Sequence, residues 1–246
     1  MKKKFQIALL LSIFSIGFCI NGSSQDDEFE DLRILYMDGD YEKLIKKSER
    51  YTDKDDTRRS ADPYLFLSKA YYEISMDEKY HEDYRPDRAF RDALKWAKRY
   101  RRYDPDGALF EENDLYFREL KESAFRSAAA QMAEGKYSRA RRFYDAIADF
   151  DPEDPGAWLM LGYCKVQERN VREAQLSFEE AGKVMTTRDL TTLNSVERDI
   201  FLQGVMQYSD YLVEESMRDS ARTTLEMAVP ALEGDPEFDA AYQKLN

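Results

Sequence analysis

The stretch that decides the fold is DFDPEDPGAWLMLGYCKV, Asp149 to Val166, in which an Asp-Pro pair closes one amphipathic run and Pro-Gly-Ala-Trp opens the next. Nearly the same phrase, YDPDGALF, occurs at Tyr103 to Phe110. Proline lacks the backbone amide hydrogen and disfavours helix in the residue before it, so each Asp-Pro pair predicts the end of a helix. A helix break that recurs in this way predicts a stack of similar helical units.

The composition favours helices over sheets. The chain has 246 residues, 43% of them hydrophobic, with only 10 glycines and 7 prolines. Glycine and proline are the weakest helix formers, whereas Lys, Arg, Glu, Ala and Leu, which are abundant here, are among the best. We therefore expect an all-α protein with enough apolar side chains for one or two packed domains.

Residues 1–24 have the order of a secretory signal peptide. Lysines at positions 2–4 precede the apolar run Ile7 to Ile20, and small residues follow at positions 22–24. The run has 14 residues, fewer than the ~20 that span a bilayer, so it predicts cleavage rather than a permanent anchor. The sequence thus predicts an exported mature chain, residues 25–246, without a transmembrane helix.

Cys19 leaves a lipoprotein open as the alternative, in which this cysteine is acylated and kept. Phe18 precedes it, where a lipobox normally has Gly, Ala or Ser, so a cleaved signal peptide is the preferred interpretation. Either interpretation predicts a protein of the periplasm or one associated with the outer membrane.

The mature chain is strongly acidic. Without residues 1–24 it loses three lysines and no acid, which leaves 34 basic and 49 acidic residues and a net charge of −15. Because proteins bind nucleic acids by neutralising phosphates, this balance argues against a nucleic-acid partner. One cysteine remains, Cys164, so an intramolecular disulfide is excluded, and the apolar run around it predicts a buried packing residue.

The segment that begins at Trp158 has large and small residues at regular positions. These are Trp158, Leu161, Gly162, Ala174, Phe178 and Ala181. Their spacing resembles the tetratricopeptide repeat, whose pattern runs W-x2-L-G-x2-Y, then A-x3-F, then P. The segment departs from the pattern at Lys165, where an aromatic residue is usual, and at Thr186, where the closing proline is expected.

Parts of the same pattern recur on both sides of this segment. The window that begins at Ala124, 34 residues before Trp158, contains a Gly-x-Tyr turn at 135–137 and a closing proline at Pro152. The resemblance implies a solenoid over residues 25–246, with units at approximately 25–60, 61–107, 108–154, 155–188 and 202–235 and a cap at 236–246.

The implied fold is all-α: a right-handed α-solenoid of tetratricopeptide-like helix pairs with a C-terminal capping helix. Small residues such as Gly162 let the two helices of a pair approach, and stacking buries the apolar faces that no pair buries alone. We expect Trp158 to pack against Ala174 and Phe178 of its own unit and against the preceding unit near Tyr144.

Three stretches are longer than the repeat requires. There are 13 extra residues at roughly Ser75 to Asp87, and a Thr-rich spacer at Thr186 to Arg198. The apolar stripe of Leu109 to Glu134 predicts one first helix lengthened by about three turns. We interpret these stretches as structural spacers, with an added surface for a partner as the alternative.

Signals for catalysis are weak. The single histidine, His81, lies among carboxylates in a polar stretch, whereas a metal site needs further ligands and a general base needs a defined pocket. The sequence has no glycine-rich phosphate loop, no G-x-S-x-G and no paired-cysteine motif. We predict a protein that is not an enzyme and uses no cofactor or metal; an enzyme with its site in the insertions is the alternative.

The resemblance implies a protein-protein interaction scaffold or adaptor in the cell envelope. In this family the concave groove is lined by first-helix residues outside the packing positions, here Leu65, Lys69, Tyr72, Phe125, Ala129, Met132, Leu159, Tyr163 and Val166. Such an apolar strip predicts a protein partner that supplies an apolar or helical segment, unless neighbouring helices cover the strip. A similar architecture also occurs in accessory subunits of outer-membrane assembly, secretion and surface-motility machines, which remain the alternative.

Two basic clusters interrupt the acidic background, KRYRRY at Lys98 to Tyr103 and SRARRFY at Ser138 to Tyr144. Both fall on predicted second helices of successive units. Basic residues interleaved with aromatics can contact an acidic peptide, a lipid headgroup or RNA. The preferred interpretation is pairing with neighbouring Glu and Asp on a solvated helix face.

Overall fold

The computed structural model describes residues 28–245, which form an all-helical fold. The α-helices in this part of the chain are α1 (Glu30–Met37), α2 (Tyr41–Asp53), α3 (Asp62–Met76), α4 (Pro86–Arg101), α5 (Ala108–Glu112), α6 (Asp114–Ala133), α7 (Tyr137–Phe150), α8 (Pro155–Gln167), α9 (Val171–Thr187), α10 (Ser195–Glu214), α11 (Arg218–Leu232) and α12 (Pro236–Leu245). The predicted all-α class is confirmed. The signal peptide and Cys19 lie outside the described residues.

The long helices pack as neighbouring pairs along the chain. The pairs are α1 with α2, α3 with α4, α6 with α7, α8 with α9, and α10 with α11. Successive pairs contact each other through α2 and α3, α4 and α7, α7 and α8, and α8 and α10, and α12 covers α11. Such stacking of each pair on its neighbours is the arrangement of a helical solenoid. Its right-handed sense stays a prediction.

Both Asp-Pro phrases lie at helix ends. Helix α7 ends just before Asp151, and the Asp154 carboxylate accepts a hydrogen bond from the Ala157 amide at 3.0 Å, which caps the start of α8. In the earlier phrase the Asp104 carboxylate accepts from the backbone amides of Leu109 and Phe110 at 3.3 and 3.0 Å. The phrase therefore ends one helix and begins the next.

The single long helix predicted over Leu109 to Glu134 is not observed, because the chain breaks at Asn113 between α5 and α6. The Asn113 side-chain amide donates to the Leu109 carbonyl at 2.8 Å, and its oxygen accepts from Lys69 Nζ at 2.5 Å. Asparagine side chains compete in this way with the backbone hydrogen bonds of a helix. The break separates the short α5 from the 20-residue α6.

The two insertions contact the rest of the stack. After α3, a 3-10 turn at Glu78–Tyr80 places the Tyr80 hydroxyl 3.1 Å from the Gly39 carbonyl, in the turn between α1 and α2. After α9, a second 3-10 turn at Leu190–Thr192 buries Leu190 to 4% exposure. Both stretches are therefore packed connections in the described fold.

Glycines allow close helix contacts around α8. A Cβ atom on Gly162 would lie 2.4 Å from the Phe178 ring of α9, so the predicted close approach within this pair is confirmed. A Cβ on Gly156 would lie 2.5 Å from the backbone nitrogen of Phe201, and one on Gly204 would lie 2.8 Å from Leu159. Helices α8 and α10 thus cross with their backbones nearly in contact.

The buried apolar side chains form three clusters: one at α1–α4, a central one at α3–α8 that also includes Ile200 of α10, and one at α8–α12. Trp158 is half-buried and packs against both the central and the C-terminal cluster. Its indole nitrogen donates to the Pro152 carbonyl at 2.9 Å. Cys164 is fully buried in the central cluster, which confirms its predicted packing role.

One lysine is buried in the interior of the stack. Lys121 of α6 is 2% exposed. Its ammonium nitrogen lies 2.5 Å from Asp151, 2.9 Å from Glu197 and 3.1 Å from Asp154, measured to the nearest carboxylate oxygens. The two aspartates belong to the α7–α8 link and the glutamate to the first turn of α10. The ion cluster of Lys121, Asp151, Asp154 and Glu197 therefore joins three consecutive helix pairs.

Glu197 has further partners that fix its carboxylate. Its side chain accepts from the Asn194 backbone amide at 3.0 Å, while the Asn194 side chain accepts from the Glu197 amide at 3.1 Å, a capping box at the start of α10. Arg188, from the second insertion, donates to both of its oxygens at 3.2 and 3.1 Å. The insertion thus supplies a second cation to the cluster.

The charged groups of the ion cluster shift one another's pKa values. Burial lowers the pKa of Lys121, but the three carboxylates outweigh this effect and raise the pKa above its ordinary value. Burial raises the pKa of Glu197, yet Lys121 and Arg188 lower it overall. For Asp154, burial dominates and its pKa is raised. Two carboxylates on the same ammonium group are therefore shifted in opposite directions.

We expect Lys121→Met to lower the free energy of unfolding by about 3–5 kcal/mol, because it leaves three buried carboxylates without their shared cation. Urea denaturation followed by circular dichroism measures the change. The matched control is Lys183→Met, which removes a lysine from an exposed ion pair with Glu180 on α9 and should barely change stability. Equal losses in both variants would contradict the structural role of the cluster.

We expect Glu197→Gln to destabilise the protein more than Asp154→Asn at neutral pH. We also expect this gap in stability between the two variants to become smaller at acidic pH. Ionised Glu197 has a lowered folded pKa, so its contribution is present above its unfolded pKa and is lost as the pH falls through the folded value. Asp154 has a raised pKa and makes no such contribution. Urea midpoints across the acidic range measure the gap; a gap that is constant or reversed would contradict this assignment.

Candidate functional site

Three of the nine predicted groove residues lie in the apolar core. Leu65, Tyr72 and Leu159 are only 3%, 7% and 1% exposed. The Tyr72 hydroxyl lies 3.1 Å from Ser123 Oγ, and its ring meets the Tyr116 ring edge-on with centroids 5.9 Å apart. Helix α6 thus packs against Tyr72, so these three side chains are not available to a partner in this fold.

Lys69, the one cation of the predicted groove, also has partners within the fold. Besides its hydrogen bond to Asn113, its ammonium nitrogen lies 5.3 and 5.5 Å from the ring centroids of Tyr36 and Tyr116. Burial lowers the pKa of Lys69, and Arg33 adds to this effect. Its contacts join α1, α3 and α6.

The other five predicted residues keep part of their surface in solvent. They are Phe125, Ala129 and Met132 on α6 and Tyr163 and Val166 on α8, here called the first-helix face. The Tyr163 ring meets the Tyr137 ring edge-on at 6.2 Å. All five are half-buried, so the face combines apolar contact area with limited access.

A groove of about 920 Å³ lies between the second helices α4 and α7, with α6 at its base. Its apolar lining includes Leu94, which is 4% exposed, and the half-buried Phe90 and Phe143, whose rings stack with centroids 6.1 Å apart. The sequence pattern indicated the basic clusters on the second helices but not this apolar lining. We call the whole groove, with its lining and its rim, the α4–α7 groove.

The rim of the α4–α7 groove is cationic. Its six cationic side chains, all exposed, are Arg85, Arg91, Lys95, Lys98, Arg139 and Arg142. The three carboxylates are those of Asp87, Asp145 and Asp149, which leaves an excess of three positive charges. The groove is thus locally positive in a chain whose formal net charge is −12.

Three of these cations are paired and three are not. Asp87 pairs with Arg85 and Arg91 at 3.3 and 3.4 Å, and Lys98 pairs with Asp149 across the groove. Within residues 28–245, no carboxylate lies at ion-pair distance from the other three, Lys95, Arg139 and Arg142. Pairing with neighbouring acids, as the sequence predicted, therefore accounts for part of the basic clusters only.

The ion cluster has the spacing of a cation site, because carboxylate oxygens of Asp151, Asp154 and Glu197 lie within 4.8 Å of one another. The ammonium group of Lys121 already contacts one oxygen of each. A lysine that holds this position fits a structural role. His81 is exposed on the turn before α4 and is not one of the residues of this group.

Residues 131–184 match the family model for the tetratricopeptide repeat. The matched segment runs from the end of α6 through α7 and α8 into α9, and it includes the stretch Asp149 to Val166. A comparison with curated proteins gives no match. No helix in residues 28–245 is both long and apolar enough to cross a bilayer.

Proposed function

We propose that this protein is a non-catalytic interaction scaffold of the cell envelope that holds a segment of a partner protein against the first-helix face. The observation that carries the proposal is the tetratricopeptide match within a stack of helix pairs. Helical repeats of this kind present extended surfaces to proteins rather than pockets to small substrates.

The chemistry of the first-helix face favours an apolar or helical segment. Phe125, Met132 and Tyr163 are large and half-buried. Aromatic and methionine side chains in such positions serve as anchors, because they bury much apolar area when a partner covers them. The predicted cation Lys69 donates to the Asn113 side chain. We therefore do not propose that it binds the terminal carboxylate of a partner.

The location in the envelope rests on the order of residues 1–24. On this basis the scaffold works in the periplasm, with association with the outer membrane as a further part of the proposal. A permanent subunit of an assembly, secretion or surface-motility machine is the alternative, and it differs in having one constant partner. Mild crosslinking followed by purification distinguishes a constant partner from exchangeable ones.

For the location, we expect N-terminal sequencing of the natural protein to begin near Gln25, because the small residues at 22–24 favour cleavage there. An intact Met1 would contradict export by this signal. A mature chain that begins at an acylated Cys19 would establish the lipoprotein alternative.

For the function, we expect the triple variant Phe125→Ser, Met132→Ser, Tyr163→Ser to lose the partner that wild type retains after crosslinking in its natural host. The variant leaves Tyr72 unchanged, because this side chain is buried and its removal would damage the core. Mass spectrometry of the purified complexes identifies the partner, and circular dichroism checks that the variant is helical.

The matched control changes three apolar residues outside the face to serine, Ile34, Leu176 and Val213, which are 48%, 51% and 42% exposed. This control should retain the partner. If the first-helix variant captures the same partner as wild type, the first-helix face is not the binding site.

A further inference from the structure

We propose that the α4–α7 groove is a second docking site, which binds an acidic segment of a partner protein that carries a large apolar side chain. The proposal concerns a different surface from the first-helix face. It depends on the lining of the groove, its unpaired cations and the charge of the surrounding protein.

The lining provides a place for an apolar anchor. Phe90 and Phe143 come from the two opposite walls and stack at 6.1 Å, and Leu94 lies beside them. The volume of about 920 Å³ is at the upper end of the range for sites that enclose a ligand. An aromatic or large aliphatic side chain of a partner can cover the two phenylalanines and remove their remaining surface from water.

The unpaired cations provide the charge complementarity. Lys95 stands on α4, and Arg139 and Arg142 stand on α7, so cations without a carboxylate at ion-pair distance in the described residues are present on both walls. The Lys95 ammonium group lies 4.6 Å from the centroid of the Trp96 ring, a contact that leaves its charge uncompensated. Carboxylates that bridge the walls would find arginine donors on one side and a lysine on the other. Arginine in particular offers a planar set of donors that matches a carboxylate.

The remaining groups of the groove favour a peptide over a phosphate ligand. Asp87, Asp145 and Asp149 are part of the lining and would repel a doubly charged phosphate more strongly than a carboxylate.

The acidic surroundings limit the length of the ligand. A long polyanion would extend beyond the groove over a protein with 49 acidic residues against 37 basic ones. A short acidic segment keeps its charges over the cationic rim. Long-range attraction and local fit therefore favour the same class of ligand.

The test measures binding of a short fluorescein-labelled peptide of Glu and Asp residues with a central Phe, by fluorescence anisotropy, to protein purified from cells that express the full-length chain. We expect Lys95→Glu, Arg139→Glu, Arg142→Glu to weaken binding about tenfold or more, since it replaces attraction with repulsion. A peptide with Ser in place of Phe should bind more weakly to wild type.

The matched control reverses one lysine and two arginines elsewhere, Lys46, Arg59 and Arg172, all exposed and without an ion pair in the described residues. It changes the net charge by the same amount, and at physiological salt it should weaken binding much less, because screening limits distant charges. The first-helix triple serine variant should bind the peptide like wild type, which separates this site from the proposed function.

Several outcomes would overturn the proposal. Equal weakening by both charge reversals would mean attraction by net charge alone, and equal binding of the Ser peptide would mean that no apolar anchor is used. Stronger binding of single-stranded RNA or of vesicles with anionic phospholipids, lost in the groove variant, would assign the groove to a phosphate ligand. A dimer in light scattering that dissociates in the groove variant would assign it to a second copy of the chain.

Discussion

The stacking of three consecutive helix pairs depends on the burial of one ammonium group among three carboxylates. Removing charges from water is costly, and the cost is offset only where every charge finds a partner. Lys121, the α7–α8 link and the first turn of α10 satisfy this condition only when three successive helix pairs meet in one register. Apolar contacts alone tolerate small shifts of one helix against another, whereas the ion cluster does not. We infer that the ion cluster determines the register in which these pairs stack more than it determines how strongly they bind each other.

Residues that mark the end of one helix and the start of the next in the repeat also belong to the ion cluster. Asp151 follows the last residue of α7 and bonds Lys121, and Asp154 caps α8 while facing the same ammonium group. In the earlier phrase the N-cap of α5 is Gly107, and the Asp104 carboxylate accepts from the Phe110 amide of α5 and from the Tyr100 hydroxyl, the latter at 2.5 Å. Two phrases with nearly the same sequence therefore both lie between the end of one helix and the start of the next, but their aspartates hold different neighbours. The difference arises from what the adjoining helices present.

Structural features that depend on local periodicity, such as the helix pairs, can be predicted from the sequence. Contacts between residues that are far apart in the chain cannot. Asp-Pro breaks and small residues such as Gly162 are local signals, and they predict helix pairs correctly. The partners of Lys121 are 30 and 76 residues away at Asp151 and Glu197, so no local pattern shows them; the only available signal is a lysine beside the apolar stripe of α6. The burial of Leu65, Tyr72 and Leu159 likewise depends on how neighbouring helices cover them, which spacing within one repeat does not determine.

The cations of this acidic chain serve two different purposes. Lys121 and Arg188 are used inside the stack, where they contact carboxylates, whereas Lys95, Arg139 and Arg142 on the α4–α7 groove have no carboxylate at ion-pair distance within residues 28–245. The groove exists only because two helix pairs stack, since its walls belong to different pairs. A segment bound across both walls must then favour the stacked form over any opened one, by the free energy of its binding. Docking at the α4–α7 groove would in this way stabilise the stacking of α3–α4 on α6–α7, whereas the buried ion cluster joins α6–α7 to the two pairs that follow.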